Sequence, residues 1–533
     1  MKKRAVALLT AGVLLLAACG NEEGPSRGNY EEESGDVVAT PTEVAEAEPT
    51  EAPTEAPTPT EEPEPEKPDP VRPLQVALYS DYDGYYDVDK ELNMVAVRCP
   101  VVWLEEDDMP ELQKALEGFN EDKKSRRDSA LEDLKESALS MYDDGFWWDD
   151  LQFYANWDAY FCRADSRVVS IVSCWDEYSG GAHPMYSYGG YNYDSATGKA
   201  LTVYDVIVPE KIADLPQLLE DKLIEKYGED EFYSDTDISQ AVDDNLGMNG
   251  DLPFTLGPEG MSFYFQPYEL APYVAGAQII TLGYDEYADW INPLYSETLS
   301  DYFIDLNVPG DVHIPGTEDR VFYYTQDKDE DGMEKDLNIV ISDGESDKAV
   351  LTDGPMYCYE TDGYLLHYKG KNYLYFSMLA EDDYEFLRVY EITEDENILF
   401  VDEISPELSH AVPTDPENLR MYVRNDVLST MTAYATFHIG SDGLPVTDED
   451  MYTIESSFEF TALQDFEITD PDGNSFSIKT GDKLIPVRTD TENLIELQTE
   501  DGTVIRTIVD REWPQTINGV DINELFDGIM FAG

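Results

Sequence analysis

Met94-Val95-Ala96-Val97-Arg98-Cys99-Pro100-Val101-Val102-Trp103, and the residues 109–140 that follow it, decide the fold class. The first part is a nearly unbroken apolar, β-branched run of strand length. The second sets Leu112, Leu116 and Phe119, then Leu131, Leu134 and Leu139, on one face of a helix. Downstream, residues 153–175 read as an antiparallel hairpin turning at Asp165-Ser166. Residues 215–227 and 238–246 read as helices, and residues 255–265 and 278–283 as strands again. Residues 73–300 are therefore expected to form an α+β domain, an antiparallel sheet with covering helices on one side.

Residues 315–533 change character. Short β-rich runs recur between Asp-Gly turns: Val321-Phe322-Tyr323-Tyr324, Asn338-Ile339-Val340-Ile341, Tyr373-Leu374-Tyr375-Phe376, Leu387-Arg388-Val389-Tyr390, residues 458–463 and Leu484-Ile485-Pro486-Val487. Leu497-Gln498 leads into a hairpin through Asp501-Gly502. Strands at this spacing predict an all-β domain, propeller-like or a sandwich. No clean repeat period accompanies them.

Ahead of both domains lies a leader. Lys2, Lys3 and Arg4 precede an apolar run, and Leu16-Ala17-Ala18-Cys19-Gly20 ends it. A charged start, a short apolar stretch and small residues before a cut describe a secretory signal peptide. The cysteine at the first mature position makes residues 1–19 resemble a bacterial lipoprotein signal of the lipobox type. That resemblance implies a diacylglycerol anchor on Cys19 and a place at the extracellular face of the cytoplasmic membrane. The apolar run is too short for the ~20 residues a spanning helix needs. Residues 20–72 alternate Pro, Thr and Glu, as in Pro49-Thr50-Glu51-Ala52-Pro53-Thr54-Glu55. Such a segment cannot bury a core and reads as a disordered, extended tether.

The chain carries 114 acids against 34 bases, a net charge of −80. Residues 73–533 hold 98 of the acids and 28 of the bases, so the acidity belongs to the folded part. This field excludes nucleic acid as a partner and favours cationic proteins or divalent metal. It also serves solubility alone. Four cysteines besides Cys19 (Cys99, Cys162, Cys174 and Cys358) lack paired ligand spacing, which argues against zinc. An oxidising exterior permits a disulfide among the first three. Free buried thiols are the alternative, and no pairing is assigned.

Two stretches carry a resemblance. The first is Ser179-Gly180-Gly181-Ala182-His183-Pro184, followed by Tyr191-Asn192-Tyr193-Asp194, Thr197-Gly198-Lys199 and Leu201-Thr202-Val203-Tyr204-Asp205. The second runs from Phe254-Thr255-Leu256-Gly257-Pro258-Glu259-Gly260 through Pro267-Tyr268-Glu269-Leu270-Ala271-Pro272-Tyr273 to Gly276. Together they resemble the paired extracellular modules known as domains of unknown function 4163 and 3298. These modules are similar to the outer domain of RsiV-type anti-sigma factors and to the non-catalytic region of PdaC-type peptidoglycan deacetylases. The resemblance implies an α+β fold and a role at the cell envelope. It departs in two respects, for the chain has neither an anti-sigma segment nor a recognisable deacetylase domain.

Within the first stretch, Gly180 and Gly181 permit a tight loop and Pro184 stiffens its exit. His183 sits there amid Tyr178, Tyr186 and Tyr188, a candidate ligand-binding set offering aromatic faces to a sugar or a partner side chain. The alternative is a histidine bonded to backbone that pins the loop. Pro267 to Tyr273 reads as a packing corner.

Asp327-Lys328-Asp329-Glu330-Asp331-Gly332-Met333-Glu334-Lys335-Asp336 carries a D-x-D-x-D-G pattern. Carboxylates at alternate positions around a glycine suit Ca²⁺, which takes six to eight oxygens. Asn338 stands where an EF-hand would place its closing Glu, so the loop is not an EF-hand. It resembles the calcium loops of integrin-type propeller blades. On that reading Asp327, Asp329, Asp331 and Asp336 give side-chain oxygens, Met333 a backbone carbonyl, and the ion is structural. The alternative is an acidic turn in an acidic chain.

No nucleophile elbow, P-loop, zinc-protease motif or dinucleotide fingerprint occurs. His183, His313, His367, His410 and His438 are scattered. The sequence thus reads as a non-enzymatic, membrane-anchored extracellular lipoprotein that binds a cell-envelope ligand, either peptidoglycan or a cationic muramidase-type protein. The alternatives are a cell-wall hydrolase or esterase with an unrecognised site, and an envelope assembly or spacer protein.

Overall fold

The computed structural model describes residues 69–533 apart from 149, 150, 235, 248, 329–332, 355, 381–383, 409, 410, 456, 457 and 533. The leader, Cys19 and nearly all of the tether lie outside the described residues, as do His410, Asp329 and Asp331. Val71–Gly533 forms one compact unit.

Its first layer is a six-stranded sheet with one long helix across it. Strands β1 (Val76–Asp87), β2 (Leu92–Leu104), β3 (Phe153–Ala164), β4 (Val168–Tyr178) and β5 (Met185–Asp194) lie side by side in that order. Helix α1 (Pro110–Asp143) connects β2 to β3 and spans about 50 Å at 1.5 Å per residue. The sheet is mixed rather than antiparallel, because β2 and β3 run parallel, with Val95 opposite Phe153 and Arg98 opposite Asn156. The reason is the helix itself. A crossover through a helix delivers the next strand in the same direction as the last, whereas tight hairpins reverse it. The β3–β4 pair is the hairpin expected around Asp165-Ser166.

The buried face of α1 is split. Leu112, Leu116 and Phe119 pack with Val102, Leu104, Phe161, Val169 and Ile171. Leu134 and Ala138 pack with Val95, Val97, Phe153, Ala155 and Trp157 in a second cluster. Between them the helix buries Lys123 and Arg127 instead of apolar residues.

Past β5 come a one-turn helix α2 (Val203–Val206), α3 (Leu215–Tyr227) and α4 (Ile238–Leu246). They cover a small antiparallel sheet of β6 (Phe254–Leu256), β7 (Gly260–Phe265) and β8 (Gln278–Gly283). That sheet docks tightly on β5. A Cβ at Gly190 would fall 1.8 Å from the Phe254 carbonyl oxygen, so no larger residue fits. Asn192 Nδ2 donates to the same carbonyl at 2.8 Å, and the Ser170 hydroxyl accepts from the Leu256 amide at 2.9 Å.

The later region is all-β and layered. Strands β10 (Arg320–Lys328), β11 (Glu334–Ser342) and β12 (Asp347–Asp353) form one sheet. Strand β9 (Tyr302–Asp305) joins β13 (Glu360–Tyr368), β14 (Lys371–Leu379), β15 (Glu385–Ile392) and β16 (Ile398–Ile404) in another. Ile339 and Ile341 of the first sheet pack on Leu365, Leu374 and Phe376 of the second. The opposite face of the second sheet, with Leu366, Tyr373, Tyr375 and Val389, packs on Leu419, Met421, Ala435 and Phe437. Strict inside–outside alternation therefore gives way to near-continuous apolar runs, as in Tyr373-Leu374-Tyr375-Phe376. A further nine-stranded sheet extends to Phe526–Asp527, and none of the sheets closes into a barrel among the described residues.

The two regions touch. Strand β17 (Ala411–Val412) pairs with β1 at the edge of the first sheet. Thr414 Oγ1 donates to the Leu74 carbonyl, and Arg420 pairs with Glu105 at 2.6 Å. None of the described helices is long and apolar enough to cross a membrane.

Candidate functional site

The loop Ser179–Pro184 leaves the end of β4 and returns as β5 at the free edge of the sheet. Gly180, at φ +95°, turns the chain so tightly that a Cβ there would meet Met141 and Phe153 at 3.0–3.2 Å. Three residues on, His183 is exposed, and its ring stacks on Tyr273 with centroids 3.9 Å apart and planes 22° apart. Its Nδ1 lies 3.0 Å from the Pro184 carbonyl and its Nε2 3.3 Å from the Tyr268 hydroxyl. The Tyr273 hydroxyl donates to the same Pro184 carbonyl at 2.5 Å.

Tyr268 and Tyr273 come from a turn 85 residues and more downstream. Pro267 and Tyr268 occupy its centre, with the Glu269 amide donating to the Gln266 carbonyl at 3.1 Å. Tyr268 has φ +69°, a conformation that costs a bulky side chain energy and that type II turns normally give to glycine. The Glu269 carboxylate holds the turn by accepting from the Gln266 amide at 2.6 Å and from Asn245. The result is a tyrosine 48% exposed and directed outward beside His183, where a packing corner was expected. Strain of this kind persists only where its surroundings enforce it, and it clusters at functional sites.

The sequence-selected residues divide. Tyr186 joins the cluster, 5.8 Å from Tyr273 edge to face. Tyr188 turns inward against Tyr264, and burial pushes its hydroxyl well up. Tyr178 packs with Phe153 and Tyr154. His183, Tyr186, Tyr268 and Tyr273 thus form one aromatic shelf, and two of its four members lie on a segment that sequence reasoning assigned to packing. The outlying signal was Gln266-Pro267-Tyr268-Glu269, a turn whose third position has positive φ but holds tyrosine.

A carboxylate adjoins the shelf. Asp176 faces Tyr186 on β5 and Asn156 on β3. Burial, and then the charge of Asp158, lift its carboxyl to about 6, while Arg98 opposes the rise. Arg98 is paired with Asp158 at 2.6 Å. Near neutral pH Asp176 can therefore accept, and on protonation donate, a hydrogen bond to a polar ligand.

All four described cysteines are free. Cys174 lies opposite Asp158 rather than Cys162, and burial raises both thiols, that of Cys162 to about 12. Among the described residues no three His, Cys, Asp or Glu converge as metal ligands. Of the proposed calcium set, Met333 is buried and Asp336 lies on β11 opposite Gln326. Asp329, Asp331 and the Asp327 side chain fall outside what is described.

Residues 204–285 match a family described as a protein of unknown function, DUF3298. The match runs from α2 to just beyond β8 and includes the Tyr268–Tyr273 turn. No curated protein matches the chain. A DUF3298 family protein from Bacteroides fragilis is 16% identical, at a TM-score of 0.34, covering 42% of this chain and 96% of its own. One from Pseudomonas aeruginosa is 18% identical, at a TM-score of 0.29, covering 42% and 97%.

Proposed function

We propose that this chain is a non-enzymatic lipoprotein, anchored through Cys19 at the outer face of a bacterial cytoplasmic membrane, whose α+β region binds the glycan of peptidoglycan. The observation that carries this reading is the shelf of His183, Tyr186, Tyr268 and Tyr273, with Tyr268 held outward against its backbone preference. Flat rings with polar tips suit the mixed apolar and hydroxylated faces of sugars. The Asp176 carboxyl beside them supplies an acceptor for hydroxyls. On this reading the two motif stretches together form paired modules of the 4163 and 3298 type, as in RsiV- and PdaC-type envelope proteins. Retention of the full chain on purified, insoluble peptidoglycan tests it. Tyr268→Ala and Tyr273→Ala should each lower retention several-fold. Equal retention of both variants, or none by the parent chain, sinks the proposal.

A second reading, a cationic muramidase-type partner, is favoured by the excess of 98 acids over 28 bases in residues 73–533. Titration at two salt concentrations separates it, since a charge-driven complex weakens steeply with salt. The acidic β10–β11 hairpin would add a structural Ca²⁺ site.

A further inference from the structure

The polar middle of α1 roofs a groove. The helix is anchored at both ends by apolar clusters, but Asn120 to Ala130 contains no large apolar side chain. Beneath that segment the sheet is also hollow. Ser173 on β4 has Ala159 beside it on β3 and Gly189 beside it on β5, so the floor carries almost no side-chain bulk. One rung away stand Trp157 and Trp175, opposite each other with ring centroids 6.5 Å apart. On the other side stands Tyr191, paired with Ile171. Four residues of strand put these walls ~13 Å apart. The space amounts to about 620 Å³, within the range of small-molecule sites.

Two polar groups in this groove lack suitable partners. The Ser173 hydroxyl is buried, 3% exposed, and forms no hydrogen bond among the described residues. Lys123 is 2% exposed, and its described contacts are the Tyr191 hydroxyl at 2.7 Å and the faces of the Tyr191 and Phe119 rings. No carboxylate salt-bridges it among the described residues. Buried polar groups are normally satisfied, and a buried ammonium normally has a counter-charge.

We propose that this groove binds a carboxylate-bearing saccharide, with its carboxylate on Lys123 and Ser173 and a sugar face against Trp175. The tryptophan wall and the serine hydroxyls at the mouth, Ser129, Ser137 and Ser187, favour a sugar over a plain organic acid. Asp133 and Glu177, at the end away from Lys123, accept from sugar hydroxyls. Burial holds the Lys123 ammonium down to about 8, so it is still mainly charged at pH 7, and a ligand carboxylate beside it would raise that value again. This deepens the envelope-glycan reading and rests on it for the choice of probe.

The test is calorimetric titration of the full-length chain with N-acetylmuramic acid and with N-acetylglucosamine, which lacks the carboxylate. At pH 7 the acidic sugar should bind at least tenfold more tightly. Ser173→Ala should weaken it several-fold with an unchanged melting temperature, and Lys123→Met should erase the preference between the two sugars. Equal affinity of the parent chain for both sugars overturns the proposal, as does unaltered binding by the two folded variants. Retention on peptidoglycan without binding of the acidic sugar removes the groove and leaves the shelf reading standing. Binding of the acidic sugar without retention does the reverse.

Discussion

The side-chain amide of Gln266 closes on the backbone of Tyr188 from both sides. Its Oε1 accepts from the Tyr188 amide at 2.8 Å, and its Nε2 donates to the Tyr188 carbonyl at 2.9 Å. Since β5 is the edge of its sheet, one glutamine here does what a neighbouring strand would do, and it brings the Tyr268–Tyr273 turn to the His183 loop.

Gln266→Ala should therefore leave two backbone groups of β5 unpaired. A loss of about 2 kcal/mol is expected, from ~1 kcal/mol per hydrogen bond. Urea unfolding measures it, and hydrogen exchange should speed at the Tyr188 amide while the β3–β4 hairpin stays protected.

Arg163 anchors the segment leaving the α+β region. It pairs with Asp165 at 2.5 Å and donates to the Tyr295 and Glu297 carbonyls at 2.5 and 2.6 Å, with Arg163 7% and Asp165 1% exposed. Breaking a buried pair strands the remaining charge. Arg163→Met should cost about 3–5 kcal/mol, and adding Asp165→Asn should recover part of it. A chemical-denaturation double-mutant cycle decides.

Asp176 gives a pH signature. Its folded carboxyl titrates near 6, above its ordinary 3.8, so the folded state holds the proton more tightly than the unfolded chain. That contribution is complete below about 4 and is lost as pH rises through 6. Asp176→Asn should consequently stabilise the protein by about 1–2 kcal/mol at pH 7.5, after discounting for partial solvent screening, and by nearly nothing at pH 4. Melting curves at the two pH values check this. An equal effect at both would show that burial is not what raises the carboxyl.

Calcium, if held by the β10–β11 hairpin, should raise the melting temperature of the full chain relative to chelator, as any ligand selective for the folded state does. Asp336→Asn should reduce that increment. An unchanged melting temperature in excess Ca²⁺ leaves the loop an acidic turn.

Much of this architecture was legible locally. The Met94–Trp103 strand, the long helix after it, the Asp165-Ser166 hairpin and the short strands of the later region all appear where periodicity and turn chemistry put them. Each depends on residues only a few positions apart. The groove had a signal too, in the stretch from Asn120 to Ala130 where the apolar stripe lapses. By itself that gap reads as a solvated helix face. Only the sheet beneath, with Ser173 between Ala159 and Gly189, turns it into a cavity.

What the sequence alone determined about this protein was its class: a Pro/Thr/Glu-rich segment, then helices among strands, then strands only. What tertiary structure decided was the partners. The parallel register of β2 on β3, the packing of Tyr188 on Tyr264, and the meeting of His183 with Tyr273 join residues tens of positions apart. The physical reason is range. Periodicity records which face of an element is apolar, whereas strand order, crossover direction and loop docking follow from burying those faces together, a condition no local window contains.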